Sequence, residues 1–458
     1  MSHTIASAAA DLRQGRLTSV ALVEASLDAI DRHQERTNAF ITIDADGALS
    51  AARLADHERG QGLDRGPLHG VPISLKDLID VRGQMTTAAS RVLDDRLVAA
   101  DATVVTRLRQ AGAVVIGRTN LHEFALGTTS EDSAFGAVHH QMDPTRSAGG
   151  SSGGSAVAVA LGMGVASVGT DTGGSIRIPA AACGVVGLKP SSGEVPADGV
   201  VPLSTSLDHV GPITRTVEDA AILYGVLTGT AVTPLRAAAL GELRLCWLAG
   251  YFDAPIEPAV RQAFEEAQLR LQSAGVDFEI GEIPDAIRTS EVYVDIVLPE
   301  AARWHAAYLE TRPDRYTPAV RARLESGRQI SVARYEAAIA ARVDLAAAVD
   351  AALDGVDALI LPTLPIVAPP LGVPEIEVDP STHAVLPVRT AMLKHTQLFN
   401  ITKHPAISLP IATAGLPVGL QLVGRIGQTP RLLAIAAACE KIVSTLSAQG
   451  PTPGAKTL

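Results

Sequence analysis

Two clusters of glycine and serine carry the most conspicuous chemistry in this sequence. The first is GGSSGG at residues 149–154, and the second is TGGS at residues 172–175. Glycine lets the backbone enter the left-handed region and lets a ligand approach the main chain closely. Consecutive N–H groups in such turns can hold an anion, either a phosphate or the oxyanion of an acyl-transfer intermediate. The second cluster follows a strand-like run and is therefore a candidate anion-binding turn, whereas the first precedes a run that can start a buried helix.

The phosphate interpretation and a linker interpretation can both be tested on the sequence. A phosphate loop of the GxxxxGK type needs a lysine after the glycines, and neither cluster has one. A dinucleotide fold needs GxGxxG after a strand and an acidic residue further on, and neither cluster fits that pattern. A flexible linker is polar on both sides, whereas the run after the first cluster, 156–169, is largely apolar. The oxyanion interpretation is therefore favoured.

These motifs resemble the amidase signature family of serine hydrolases. The long pattern of that family runs unbroken through residues 149–180 and includes SIRIPA at 175–180. Three further segments are similar to the family: GVPISLKD at 70–77, SLDHVGPITRTVEDA at 206–220 and GLPVGLQLVG at 415–424. The resemblance covers most of the chain, and it implies the fold and the amide hydrolysis of that family.

The resemblance implies a catalytic triad of Lys76, Ser151 and Ser175. In that scheme Ser175 is the nucleophile, and Ser151, on a cis peptide bond, relays a proton between Ser175 and Lys76. A serine hydroxyl is a poor nucleophile without an adjacent base. A lysine serves as that base only when neutral, so burial or neighbouring groups must lower its pKa from about 10.4. The apolar residues before Lys76 predict a buried strand end that supplies such burial.

The resemblance also assigns the groups around the nucleophile. Asp171 and Arg177 are expected to form an ion pair that braces the turn, and the apolar sequence nearby favours a buried pair over a surface pair. The backbone N–H groups expected to hold the oxyanion are those of Thr172, Gly173, Gly174 and Ser175.

The histidines offer no metal site that the sequence can recognise. His139 and His140 are adjacent instead of at ligand spacing, and no second His or Cys cluster supports them. We therefore expect no metal, cofactor or nucleotide. A histidine-based triad would need His209, His395 or His404 near a serine, which the sequence leaves open.

The substrate class depends on a comparison with the glutaminase subunits of the tRNA-dependent amidotransferase, which belong to the same family. Arg342 matches an arginine that those enzymes use for the substrate carboxylate. Leu393, however, falls where they place an aspartate for the amino group, and a buried unpaired ammonium is costly. Their RQPA is RIPA here, at 177–180, and HQM at 140–142 replaces a segment like Asn-Pro-Trp.

The sequence therefore favours a free-standing amidase for an uncharged aryl or aliphatic amide. A carbamate or ester hydrolase and the glutaminase subunit stay open as alternatives, and an inactive binding protein is least favoured. Trp304 and Tyr308 lie in an aromatic, helical block and are further candidates for substrate binding, although ordinary packing explains them equally well.

The elements that must position these residues follow from the apolar pattern. Short apolar runs predict eight strands, at 71–75, 113–116, 166–169, 185–188, 243–248, 358–361, 406–409 and 419–423. Helical patterns precede or separate them, at 4–33, 44–59, 102–111, 217–227, 258–274 and 431–446. This alternation predicts an α/β/α domain with a mixed, mostly parallel, twisted sheet covered by helices on both faces.

We expect one domain over residues 1–458, in four segments. These are N-terminal helices (1–60), a catalytic core (61–231), a largely helical cap on the substrate side (232–355) and a return to the sheet (356–458).

Composition narrows the class of protein. Of 458 residues, 47% are hydrophobic and 19% charged, which excludes disorder for most of the chain. The net charge of −11 disfavours direct nucleic-acid binding. The three cysteines are scattered and no apolar run is long enough for a membrane, which favours a cytoplasmic location. The expected partner is a small amide, and a homodimer is left open.

Overall fold

Each of the eight predicted runs forms a strand in the computed structural model, which describes residues 3–444. The strands are β1 (Phe40–Ile43), β2 (Pro72–Lys76), β3 (Val114–Thr119), β4 (Ala166–Asp171), β5 (Val186–Lys189), β6 (His209–Thr214), β7 (Arg244–Leu248), β8 (Asp277–Gly281), β9 (Ala358–Pro362), β10 (Glu375–Asp379), β11 (Ala384–Pro387), β12 (Ala406–Ile411) and β13 (Val418–Val423).

The helices begin where capping residues precede apolar periodic segments. Thr4, Thr18 and Asp44 each accept a hydrogen bond from the first turn of the helix that follows. The helices are α1 (Ile5–Arg13), α2 (Ser19–Thr37), α3 (Ala45–Gly60), α4 (Thr103–Gln110), α5 (Gly153–Ala160), α6 (Arg177–Cys183), α7 (Val217–Thr228), α8 (Pro258–Ser273), α9 (Thr289–Trp304), α10 (Ala306–Thr311), α11 (Pro318–Gly327), α12 (Val332–Ala352), α13 (Val388–Leu393), α14 (Leu398–Ile401) and α15 (Thr429–Val443). The last positions of the helix predicted at 431–446 lie outside the described residues.

Eleven of the strands form one mixed sheet, in the order β1-β3-β2-β4-β6-β5-β12-β13-β9-β7-β8. The predicted mixed sheet is confirmed, but its predicted parallel majority is wrong. Within residues 3–444, four neighbouring pairs of this sheet are parallel and six are antiparallel. Parallel neighbours need a long crossover, and several connections are too short for one. The loop 412–417, for example, joins β12 to β13 as antiparallel neighbours.

The sequence did not reveal the five other strands. β6 contains Gly211 and Pro212, two residues that weaken a strand prediction, yet it pairs with β4 and β5. β8 is a partly exposed edge strand with charged side chains, so it lacks an apolar run. β10 and β11 form a separate hairpin in which most residues are exposed or half-buried.

Helices cover both faces of the sheet, as predicted. Every residue of β9 is buried, and its alternate residues belong to different cores. Leu359 and Leu361 pack with α9, α11 and α12, whereas Ala358 and Ile360 pack with α8 and α15. A strand buried on both sides reads as a continuous apolar run, which is why the sequence revealed it.

The segment predicted as a helical cap, 232–355, divides between two places in the structure. Its first part supplies β7 and β8 to the sheet, with α8 packed over the neighbouring strands. Its second part forms the helices α9 to α12, of which α11 and α12 pack against α9. Across residues 3–444, no helix has both the length and the apolar character needed to cross a membrane.

Candidate active site

Two adjacent parallel strands bring the predicted base to the Gly/Ser clusters. β2 pairs with β4 in parallel, with Leu75 opposite Val168, so the carboxyl ends of both strands meet at one sheet edge. Lys76 is the last residue of β2. Its Nζ donates hydrogen bonds to Ser151 Oγ and to Thr170 Oγ1, each at 2.8 Å. The structure thus joins Lys76 directly to Ser151.

The environment of Lys76 favours its neutral form. The side chain is fully buried, and both of its hydrogen-bond partners are hydroxyls. Burial lowers the pKa of Lys76 to about 7, although the charges of Asp171 and Asp208 act in the opposite direction. An amine with that pKa is available as a proton acceptor near neutral pH.

The first Gly/Ser cluster contains the bond that the family resemblance implied to be cis. The Gly150–Ser151 peptide bond is cis, and the Ser151 carbonyl accepts hydrogen bonds from the Ser130 hydroxyl and the His122 N–H, both at 3.2 Å. The Ser152 N–H donates to the carbonyl of Ser175 at 3.1 Å. This last bond ties the relay candidate's segment to the nucleophile candidate's turn.

The second cluster forms a tight turn between β4 and α6, which we call the nucleophile turn (residues 172–175). Gly174 has φ +137°, a conformation that favours glycine. The carbonyl of Gly173 accepts a hydrogen bond from Thr396 Oγ1 at 2.6 Å. A Cβ at Gly173 would lie 2.5 Å from Tyr293 Oη, so the tyrosine closes directly over this turn. Ser175 is 6% exposed, so it retains access to a ligand.

Asp171 and Arg177 form the ion pair expected from the resemblance, and it is fully buried. Arg177 donates to the Asp171 carboxylate from Nε at 3.0 Å and from Nη2 at 2.9 Å. Asn400 Nδ2 donates to Asp171 Oδ1 at 2.8 Å, and Gln421 Oε1 accepts from Arg177 Nη1 at 2.7 Å. Burial opposes ionisation of Asp171, but Arg177 outweighs it and holds the pKa of that carboxyl well below its usual range.

A cavity of about 320 Å³ opens beside the end of β4. Its polar walls include Thr170, Thr172, Asp208 and His209, and most of the rest is apolar. Thr172 Oγ1 donates to Asp208 Oδ1 at 2.6 Å. Burial raises the pKa of Asp208 to about 6, against the hydrogen bonds that it accepts. The cavity therefore shares two threonines with the site, one of them bound to Lys76.

The three candidate substrate-binding residues, Arg342, Trp304 and Tyr308, make different kinds of contact. Arg342 Nη1 donates to Ser206 Oγ at 3.4 Å, so it contacts the loop that leads to Asp208. Trp304 and Tyr308 pack against each other, with ring centroids 5.4 Å apart, and Trp304 also packs against Phe124. These contacts account for both rings as packing residues, and their role in substrate binding stays a prediction.

The histidine alternatives to Lys76 are engaged elsewhere. In the described part of the chain, His209 and His395 bond through Nδ1 to main-chain carbonyls, and burial lowers the pKa of each to about 3. His404 bonds to Thr402 and Asp350. Among residues 3–444, no three His, Cys, Asp or Glu side chains are grouped so as to hold a metal ion.

Sequence reasoning missed several residues that shape the site. Thr170, Thr396, Asn400 and Gln421 contact the triad candidates or their supports, and Tyr293 covers the nucleophile turn. The sequence contained a signal for one of these residues. Gln421 is a polar residue inside an otherwise apolar strand, and a buried polar group requires a hydrogen-bond partner.

A family model described as Amidase matches residues 21–433 of the chain. The chain belongs to the amidase family. A crystal structure of an amidase is 40% identical, with a TM-score of 0.91 over 96% of this chain and 100% of that one. As an amidase, the chain is a hydrolase of carbon–nitrogen bonds.

Two further similar proteins bear on which candidate function the chain has. A glutamyl-tRNA(Gln) amidotransferase subunit from Roseiflexus sp. (strain RS-1) is 37% identical, with 96% of each chain covered. A chain from an inhibitor-bound vestigial protein complex, described as revealing the evolutionary origins of an s-triazine catabolic enzyme, is 32% identical. Its TM-score is 0.90, with 96% of this chain and 99% of that chain covered.

The buried lysine predicts how activity changes with pH. Below the pKa of Lys76 the ammonium cannot accept a proton, so kcat/KM should rise with pH through an ionisation near 7. Lys76→Ala should remove that ionisation and most of the rate. Lys76→Arg should not restore them, because a guanidinium stays protonated. Lys441→Ala, which changes an exposed lysine, is the control. A Lys76→Ala enzyme with the wild-type profile and rate would contradict the assignment.

The buried ion pair predicts a large loss of stability when one partner is removed. Arg177→Met leaves the Asp171 carboxylate buried without its cation, at a cost of about 3–5 kcal/mol in the free energy of unfolding. Arg321→Met breaks only surface pairs with Glu325 and Asp314 and should cost far less, because exposed ion pairs contribute little to the free energy of unfolding. Denaturant unfolding of both variants measures the difference, and equal costs would show that the buried pair is not a structural support.

Proposed function

We propose that this amidase hydrolyses a carboxylic amide through an acyl-enzyme on Ser175. The observation that supports this most is the hydrogen bond from the buried Lys76 to Ser151. Neutral Lys76 accepts the proton of Ser151 while Ser151 accepts that of Ser175, and Ser175 Oγ bonds to the amide carbon.

The same groups complete the reaction. The carbonyl oxygen becomes an oxyanion, held by backbone N–H groups of the nucleophile turn. As the C–N bond breaks, the proton returns through Ser151 to the leaving amine. Water then attacks the ester carbon, with the relay again taking a proton, and releases the acid and free Ser175. Every step uses side chains and backbone of this chain.

Asp171 and Arg177 support the reaction without contacting the substrate in this scheme. Their ion pair fixes the start of α6, since Asp171 Oδ2 also accepts from the N–H of Ile176 at 3.1 Å. We further propose that the chain is one domain and a cytoplasmic enzyme. A homodimer is compatible with this proposal, and light scattering of the purified protein measures that state.

Replacing the nucleophile should abolish both turnover and covalent labelling. Ser175→Ala should lower amide hydrolysis by at least about 10³-fold and should prevent labelling by a fluorophosphonate probe, because no other group can form the acyl-enzyme. Ser151→Ala should lose less, since a water can partly replace a relay. Ser326→Ala, an exposed serine on α11, should behave as wild type. Labelled, active Ser175→Ala protein would place the nucleophile elsewhere.

A second candidate function is the glutaminase subunit of a tRNA-dependent amidotransferase. The Roseiflexus relative favours it, and so does Arg342, at the place of an arginine that binds the carboxylate of glutamine in those enzymes. Leu393 argues against it, because this side chain is buried and apolar where those enzymes have a carboxylate for the amino group.

The ammonium group of glutamine provides the discriminating test. Glutaramate, the monoamide of glutaric acid, equals glutamine without its amino group. We expect kcat/KM for glutaramate to exceed that for L-glutamine by about tenfold or more, since the ammonium would be desolvated without a partner. A preference for glutamine, or glutaminase activity that appears only with the other amidotransferase components added, would favour the second candidate.

A further inference from the structure

Three consecutive side chains between α13 and α14 each bond to a main-chain carbonyl in a different part of the protein. They are Lys394, His395 and Thr396, all of them buried, and we call them the anchor segment (residues 394–396). Their partners are the carbonyls of Ala254, Pro362 and Gly173, at 2.7, 2.9 and 2.6 Å from Nζ, Nδ1 and Oγ1 respectively. The anchor segment therefore connects the nucleophile turn to two other parts of the fold, the loop after β7 and the end of β9.

Within the anchor segment, Thr396 is the residue that contacts the nucleophile turn. Its Oγ1 donates to the carbonyl of Gly173 at 2.6 Å, and a Cβ on Gly174 would collide with the same oxygen. The carbonyl of Thr396 accepts a hydrogen bond from Arg177 Nη1 at 3.0 Å, so the buried ion pair fixes the main chain at this residue. The Thr396 hydroxyl is therefore held in place against the peptide between Gly173 and Gly174.

The peptide between Gly173 and Gly174 needs an external contact to fix its orientation. It is a trans peptide, so its C=O and N–H point in opposite directions. Glycine on both sides leaves few steric barriers to rotation of the peptide plane. The hydrogen bond from Thr396 to the carbonyl therefore sets the direction of the Gly174 N–H, which points away from Thr396.

The N–H groups of the nucleophile turn have no acceptor within the protein. Across residues 3–444, those of Gly173, Gly174 and Ser175 donate to no main-chain or side-chain group. The next N–H along the chain, that of Ile176, is already bonded to Asp171 Oδ2 at 3.1 Å. Main-chain N–H groups without a partner are costly unless a ligand or water accepts from them. The orientation of the Gly174 N–H therefore decides whether it can bind the oxyanion.

We propose that Thr396 is a positioning residue for the reaction, because its hydroxyl holds the Gly173 carbonyl so that the Gly174 N–H donates to the oxyanion. Thr396 itself touches no reacting atom and acts through the peptide. Without the hydroxyl, the peptide is free to rotate and the oxyanion loses a preorganised donor. This inference rests on the proposed amide hydrolysis, and it gives that reaction a support 223 residues after Gly173 in the chain.

Removing only the hydroxyl of Thr396 tests this role. Thr396→Val keeps the shape of the side chain but cannot donate, whereas Thr396→Ser keeps the donor. The substrate is whichever of acetamide, hexanamide, benzamide and acetanilide the wild type hydrolyses fastest. Thr396→Val should lower kcat by about tenfold or more with KM within about twofold of wild type, because a misdirected donor weakens only the transition state. Thr396→Ser should restore kcat to within about threefold.

Two further measurements separate this role from that of the base. Thr396→Val should slow labelling by the fluorophosphonate probe by about tenfold or more, because attack on phosphorus also places charge on an oxygen in the turn. Its kcat/KM should still rise through an ionisation near 7, since Lys76 and Ser151 are unchanged. The control is Thr37→Val, which removes another buried hydroxyl that donates to a main-chain carbonyl, that of His33 at 2.8 Å. It should leave kcat and labelling as in the wild type.

The outcomes distinguish the role of Thr396 from the proposed function as a whole. Denaturant unfolding checks that each variant is folded, and Thr396→Ala, which removes the same donor, gives the comparison if Thr396→Val does not fold. A wild-type kcat without the hydroxyl, a change in KM alone, loss of the ionisation near 7, or a Thr396→Ser enzyme as slow as Thr396→Val would each overturn the positioning role. Wild-type protein that neither takes up the probe nor hydrolyses any amide would instead overturn the proposed function.

Discussion

The proposed mechanism depends on keeping a lysine neutral inside the protein. Lys76 sits at the end of a fully buried strand, and its Nζ has two hydroxyl partners. Desolvation disfavours the ammonium, whereas a close carboxylate would restore it and remove the base. The acid at the end of the neighbouring strand must therefore be paired with another cation. Asp171 meets this need because its carboxylate is held by Arg177 and Asn400.

The surroundings of two ionisable groups at the same sheet edge therefore favour different charge states, a neutral lysine and an ionised aspartate. Lys76 and Asp171 are both fully buried, at the ends of neighbouring strands. Burial alone would neutralise both, and only the acid has an oppositely charged partner in contact. The difference between a neutral base and an ionised support therefore comes from the neighbours of each group instead of from its depth.

The sequence predicted those parts of the fold and of the site that short local patterns determine. Eight strands were visible because strands buried on both faces read as apolar runs. The motifs named Lys76 and Ser151 as candidates, and the structure joins these two side chains by a hydrogen bond. Strand β6 was hidden by Pro212, and strand β8 by its charged, exposed side chains. Pairing direction was misjudged because it depends on which strands become neighbours. The partners of the site were beyond local patterns for a related reason. Arg177 meets Asn400 and Gln421, which are 223 and 244 residues away along the chain, and the fold as a whole sets such contacts.

This long-range support has a consequence for the synthesis of the chain. Lys76, Ser151 and Ser175 all lie in the first 175 residues, but Arg177 and Asp171 draw Thr396, Asn400 and Gln421 from the last part of the protein. A nascent chain emerges from the ribosome N-terminus first. The proposed nucleophile is therefore synthesised long before the residues that support its turn. An unfinished or truncated polypeptide carries the proposed triad without the framework that positions it.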